Sequence, residues 1–321
     1  MNRCPTSRTG FSPCLVALFF VWAYAHANFL HGQVPRPRMV IGTNVVCRAQ
    51  PSRNAPKVVT LRLGEIRGFS REARAEGGIW YFDEGRPSCW LPGPLTAEFV
   101  AGKPESALLA VADHILQRKD PVTFGEYVEA ENLLLNEAFS SSLQSSGLLQ
   151  FRRLQIVERV TRVPSALGRI VFTDPLKRAW FIAHRDFLRY FEPDDEWYIR
   201  PEPYWSLFEK NKDAPWAEEI ASTVGLRVIP SDECYSDCAL SKIVQGPLQY
   251  WTRYPNGNSI REALQKAISH ATYAIETSIY NAPPQPTLNE IRRSLANVTA
   301  PEKRRLFDLL DEADRKYSER R

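Results

Sequence analysis

The chain has 321 residues, enough for about two domains, and 44% of them are hydrophobic, which excludes a globally disordered protein. Its 41 basic and 37 acidic residues are interspersed, and the net charge of +4 is small for this length. This balance argues against a nucleic-acid-binding protein, which would concentrate basic residues on one surface.

The first 27 residues have the three parts of a secretory signal peptide. Arg3 and Arg8 supply the positive charge, and residues 14–23 form an apolar run. This run is too short to cross a bilayer, which needs about twenty residues. Cleavage is expected after Ala25 or Ala27, with a retained anchor as the alternative. The pattern predicts export to the periplasm or the medium.

A linker and a strand-rich segment follow the signal. Residues 28–39 contain the sequence Pro-Arg-Pro-Arg and are predicted to be an extended linker. In residues 40–98 short apolar runs are broken by glycine, proline and asparagine. Runs of this length and spacing predict a small β-barrel or sandwich.

The cysteines that remain after removal of the signal are Cys47, Cys89, Cys234 and Cys238. An even number in an exported chain indicates two disulfides, although free thiols are the alternative. Three pairings are possible, and closeness in sequence favours Cys47–Cys89 and Cys234–Cys238. The Cys-x-x-x-Cys spacing of the second pair is not that of a redox motif, and no further ligand is near enough in sequence to predict a metal site.

Four short motifs follow one another in the strand-rich segment. They are Val-Val-Cys-Arg-Ala-Gln-Pro-Ser from residue 45, Val-Val-Thr-Leu-Arg-Leu-Gly from residue 58, Gly-Ile-Trp-Tyr-Phe from residue 78 and Cys-Trp-Leu from residue 89. In their order and spacing they resemble the bacterial Src-homology-3-like family. The chain departs from it where Gln50 replaces a turn glycine and where Cys89 replaces the glycine before the last tryptophan.

The resemblance implies a small barrel whose first and last strands are close, which makes a Cys47–Cys89 disulfide geometrically reasonable. Modules of this family often bind cell-wall material or protein partners in the envelope. Aromatic side chains and a basic side chain are the candidates for such a binding surface, with Trp90 the best of them. The candidates are Trp90, Tyr81, Phe69 and Arg48.

From residue 104 to the end the apolar spacing becomes helical, and an all-α domain is predicted, with a possible subdivision near 225–237. Thr123 and Glu126 fit a capping box at one helix start. Helices are expected near residues 106–116, 123–135, 147–163, 174–191, 202–211, 215–224, 238–254, 258–279, 287–296 and 301–317.

In residues 238–279 an aromatic helix end meets Tyr-Pro-Asn-Gly, and Asn258 or Ser259 can cap the next helix, which carries Glu-Ala-Leu. This pattern resembles the helix pairs of tetratricopeptide-like proteins. No 34-residue period supports a full repeat, so an irregular helical bundle is the alternative.

No nucleophile motif, zinc-protease motif or dinucleotide fingerprint occurs in the chain. The sequence therefore predicts no catalytic residue, no cofactor and no metal. We expect an exported scaffold protein that binds cell-wall glycan or peptide, or an envelope protein, and does not bind nucleic acid. The alternative is a cell-wall hydrolase that uses carboxylates of the helical domain such as Glu126 or Asp195.

Overall fold

The computed structural model of the protein describes residues 35–164, 173–192, 195–227, 236–277 and 285–319. The chain divides into two compact units, one ending at Ala107 and one beginning at Leu108. Strands dominate the first unit and helices dominate the second. The predicted order of a β domain followed by a helical domain is confirmed. The predicted signal peptide lies outside the described residues.

Seven strands form the first unit, where the sequence has its short apolar runs. They are β1 (Arg36–Val40), β2 (Val45–Arg48), β3 (Lys57–Leu61), β4 (Ile66–Ala75), β5 (Gly78–Asp83), β6 (Cys89–Pro92) and β7 (Thr96–Glu98). All pairs are antiparallel, and the sheet has the order β3-β2-β6-β5-β4-β1-β7.

Strands from both ends of this sheet contribute to one core. The core residues are Val40, Val45, Cys47, Leu61, Phe69, Cys89 and Leu91. Because Val40 lies on β1 and Leu61 on the edge strand β3, the sheet has to bend around this core. The predicted disulfide between Cys47 and Cys89 is confirmed, and it joins the neighbouring strands β2 and β6 with their Cα atoms 5.6 Å apart.

The linker predicted over residues 28–39 is wrong at its C-terminal end, because β1 begins at Arg36. This strand pairs with β4 on one side and with β7 on the other. The Arg38 guanidinium donates from Nε to the Thr96 hydroxyl at 2.9 Å, which ties β1 to β7. The φ angle of Pro37 is fixed at a value that an extended strand accepts, so a proline-rich sequence did not exclude a strand here.

The helices of the described residues belong mainly to the second unit. They are α1 (Glu105–Gln117), α2 (Phe124–Leu134), α3 (Ser140–Ser145), α4 (Gly147–Thr161), α5 (Pro175–Ala183), α6 (Pro201–Lys210), α7 (Ala217–Gly225), α8 (Ser236–Gln245), α9 (Pro247–Arg253), α10 (Ile260–Glu276), α11 (Gln285–Ser294) and α12 (Glu302–Ser318). The predicted capping box of Thr123 and Glu126 is present at the start of α2.

The second unit is not all-α, which corrects the prediction. The helix expected over 174–191 ends at Ala183, and a two-stranded antiparallel sheet follows, made of β8 (Leu188–Phe191) and β9 (Glu196–Ile199). Both strands are rich in aromatic and apolar residues, which favour strands when a pairing partner is available. The helix expected over 238–254 is also divided, because Gly246 lies between α8 and α9 and Pro247 begins the new helix.

No helix in the described part of the chain combines the length and apolar character that a membrane span requires.

Candidate functional site

The four candidate binding residues of the β unit lie on two faces of its sheet. Cys89 and Leu91 point into the core, so strand alternation turns Trp90 between them outward. Phe69 is only 4% exposed and belongs to the core, and Tyr81 packs against it from the same side. The predicted surface role of Phe69 therefore has to be corrected, because its ring is used in packing.

The outward face carries one row of four side chains that crosses four strands. Register pairs Arg71 with Phe82, Phe82 with Trp90, and Trp90 with Arg48. We call Arg71, Phe82, Trp90 and Arg48 the aromatic row. The rings of Phe82 and Trp90 lie 5.0 Å apart, and the Arg71 guanidinium lies 3.9 Å above the Phe82 ring. The Arg71 guanidinium thus lies beside two partly exposed aromatic rings, since it is also 6.0 Å from the centre of the Trp90 ring, while Arg48 pairs with Trp90 in the register of the strands.

The backbone beneath the aromatic row is held covalently. Cys47 precedes Arg48 and Cys89 precedes Trp90, so the disulfide links the two strands immediately next to the row. Arg48 was expected to face solvent and to be available to an acid, but its Nη1 donates to the Ala55 carbonyl at 2.6 Å. Arg48 therefore also fixes the loop that follows β2.

Tyr81 belongs to a separate, smaller feature on the other face. The Arg38 guanidinium lies 4.1 Å from the centre of the Tyr81 ring. A cavity of about 220 Å³ lies here and is lined by Arg36, Arg38, Phe69, Ser70, Arg71, Glu72 and Tyr81. The sequence candidates are thus divided between the aromatic row, which contains Trp90 and Arg48, and this cavity, which contains Phe69 and Tyr81 and shares Arg71 with the row.

The carboxylates proposed for a hydrolase already have partners in the helical unit. Glu126 accepts from the Thr123 backbone amide at 2.9 Å through one oxygen and from Arg118 at 2.6 Å through the other. Asp195 accepts from the Tyr190 hydroxyl. These contacts occupy both carboxylate oxygens of Glu126.

A buried charged cluster, which sequence analysis missed, lies among α2, α4 and α5. Glu131 has no exposed surface, and its Oε1 accepts from His184 Nε2 at 2.8 Å and from Arg153 Nε at 3.0 Å. Its Oε2 accepts from Trp180 Nε1 at 2.9 Å. Burial works to raise the pKa of Glu131, but the hydrogen bond and charge of His184, with Arg153, outweigh it and hold the pKa below its usual value.

This cluster is a structural junction because every polar atom of the carboxylate is occupied by protein. One sequence signal pointed to it. Glu131 follows Tyr127 by four residues and precedes Leu134 by three, so it lies on the apolar face of α2. A glutamate at such a position requires buried partners.

Within the described ranges, no three histidine, cysteine or acidic residues are grouped so that they could hold a metal ion. Cys238 at the start of α8 is a disulfide cysteine. Cys234 lies outside the described residues, so its pairing with Cys238 stays a prediction.

Comparison of the chain with known proteins gives no relative: no family model, no curated protein and no solved structure matches it.

Proposed function

We propose that this protein is an exported, non-catalytic binding protein of the cell envelope, in which a Src-homology-3-like β unit and a helical domain recognise cell-wall material or an envelope protein. The observation that carries the proposal is the aromatic row. Two partly exposed rings with the Arg71 guanidinium beside them provide flat apolar contact area together with hydrogen-bond donors.

The placement of the aromatic row on a cross-linked sheet supports a binding role. A rigid surface loses little conformational entropy when a ligand binds, so more of the contact energy appears as affinity. The disulfide also supports export, because such bonds persist in oxidising compartments and are rare in the cytosol.

A co-sedimentation experiment with purified cell-wall sacculi, alongside a pull-down from envelope extract, tests this proposal. The full mature chain is compared with Trp90→Ala, which removes the central exposed ring and leaves the core face of β6 intact. We expect at least tenfold weaker binding, since central aromatic anchors contribute most of the energy of such surfaces. Val100→Ala is the matched control, because Val100 is 47% exposed and lies outside the sheet.

Retention of the wild-type chain on neither sacculi nor envelope proteins would refute the proposal. Equal retention of the wild type and Trp90→Ala would show that the aromatic row is not the binding surface.

A further inference from the structure

The small sheet of the helical unit forms one wall of a cavity that sequence analysis did not predict. The cavity has a volume of about 670 Å³. It is lined by Arg189, Phe191, Tyr198, Ile199, Arg200, Pro201, Glu202, Trp205, Val224, Arg227, Gln245 and Gln249. We call it the hairpin cavity. Its size falls within the range of sites for small organic ligands.

The charge of the hairpin cavity is positive and is not fully compensated by the protein. Of its three arginines, Arg227 already pairs with Glu158, with Nη2 2.7 Å from the carboxylate. Within the described part of the chain, Arg189 and Arg200 form no ion pair, and Nε of Arg200 donates only to the Leu188 carbonyl. Glu202 is the one acidic lining residue.

The guanidinium groups of Arg189 and Arg200 and the carboxylate of Glu202 together leave a net charge of about +1. A ligand with a single negative charge would match it. Guanidinium groups bind carboxylates through two parallel hydrogen bonds, which makes a carboxylate the best-fitting anion. A nucleoside diphosphate would bring more negative charge than the arginines of this cavity can neutralise.

The other residues that line the cavity suit a flat ligand that carries hydroxyl groups. Trp205 and Tyr198 supply aromatic surface, and the Trp205 ring is held in place by the Arg253 guanidinium 4.4 Å from its centre. Gln249 is also fixed, because its Oε1 accepts from Arg253 at 3.0 Å. The exposed amide of Gln245 adds both a donor and an acceptor for hydroxyl groups.

We propose that the hairpin cavity binds an acidic carbohydrate whose carboxylate lies between Arg189 and Arg200. The sugar ring packs on the aromatic surface, and its hydroxyl groups bond to Glu202 and Gln245. The site is separate from the aromatic row and involves residues of the helical unit alone.

NMR titration of the full mature chain with matched sugars tests this proposal. The probes are N-acetylmuramic acid against N-acetylglucosamine and glucuronate against glucose, pairs in which one member carries the carboxylate. We expect at least one acidic sugar to bind tenfold or more tightly than its neutral counterpart, since charge-assisted hydrogen bonds are the strong ones. The double variant R189Q/R200Q should remove this preference, and added salt should weaken it.

Arg185→Gln is the control, because Arg185 is exposed and does not line the cavity. Equal binding of acidic and neutral sugars, tighter binding of a nucleoside diphosphate, no binding below about 10 mM, or an unchanged preference in the double variant would each overturn the proposal. Trp90→Ala leaves the hairpin cavity intact. A failure of acidic sugars to bind this cavity is therefore distinguishable from a failure of sacculi to bind through the aromatic row.

Discussion

Glu131 shows how one buried carboxylate can join three helices. Its partners come from α4 and α5, 22 and 53 residues further along the chain. His184 contributes both ring nitrogens, since Nδ1 lies 2.7 Å from the Trp180 carbonyl oxygen while Nε2 binds Glu131. Both ring nitrogens therefore have a partner, which fixes the orientation of the ring.

Replacing Glu131 with glutamine should destabilise the helical unit strongly. The variant leaves Arg153 without its fully buried counter-charge, and removing one partner of a buried ion pair costs about 3–5 kcal/mol. Denaturant unfolding at pH 7, followed by circular dichroism, measures the change. Glu129→Gln on the same helix is the control, because Glu129 is exposed. A loss below about 1 kcal/mol would contradict the structural role, since surface changes are of that order.

Acid should reduce the difference between the wild type and Glu131→Gln. The pKa of Glu131 is lowered by folding, so the charged group stabilises the fold above its unfolded pKa of about 4.3. This contribution is lost as the pH falls through the lower pKa of the folded state. Unfolding free energies of both chains, measured from pH 7 to pH 3, should therefore converge at the acidic end. A constant difference would show that Glu131 does not titrate as described.

At the scale of elements, the start of α10 is held by hydrogen bonds that differ from the expected cap. Ser259 occupies the cap position, but its side chain makes no capping hydrogen bond. Instead its backbone amide donates to the Tyr250 hydroxyl at 2.9 Å, and that hydroxyl donates to Glu218 at 2.7 Å. A Cβ on Gly257 would lie 2.8 Å from the Tyr254 Cβ, closer than two such atoms approach, so glycine is favoured at this turn.

Tyr250→Phe should therefore loosen the contact between α7 and the start of α10. The variant keeps the buried ring but removes one donor and one acceptor, which leaves the Ser259 amide unsatisfied and costs about 1–2 kcal/mol. Thermal unfolding gives the change in stability, and hydrogen exchange of the Ser259 amide locates it. Tyr273→Phe is the control, because Tyr273 is 46% exposed. An equal effect of both variants would rule out a special role for the Tyr250 hydroxyl.

Local patterns predicted some elements well and could not predict others. The capping box at Thr123 depends on residues three positions apart, so the sequence contains all of it. Strand β8 is four residues of aromatic and apolar character, and a run this short fits a helix or a strand equally. Whether this run forms a strand depends on its pairing with β9. The hairpin cavity was missed for the same reason, because its lining comes from segments that meet only in the fold.

At the scale of the whole molecule, the two units have different means of stabilisation. The β unit has a single small core and a disulfide that spans 42 residues of sequence. The helical unit has a more extensive buried core and additional buried ion pairs, including that of Glu158 with Arg227. The order of the two units followed from the change in apolar period near residue 104, which is why the sequence sufficed to predict it.

Removing the disulfide should affect the β unit selectively. The double variant C47A/C89A should lose about 3–4 kcal/mol in that unit, the value expected for a loop of this length. Hydrogen exchange should show lower protection in β2 and β6, while α10 keeps its protection. A reducing agent should reproduce the loss in the wild type and add nothing in β2 and β6 of the variant. Unchanged protection after removal of both sulfurs would contradict the stabilising role of the bond.

The cross-link between β2 and β6 also couples the surface that carries Trp90 to the redox state of its surroundings. Without it, a unit this small has little stability to spare. Where thiols stay reduced, the strands beneath Trp90 are held by hydrogen bonds and packing alone. Oxidation of Cys47 and Cys89 therefore gives this surface its full rigidity.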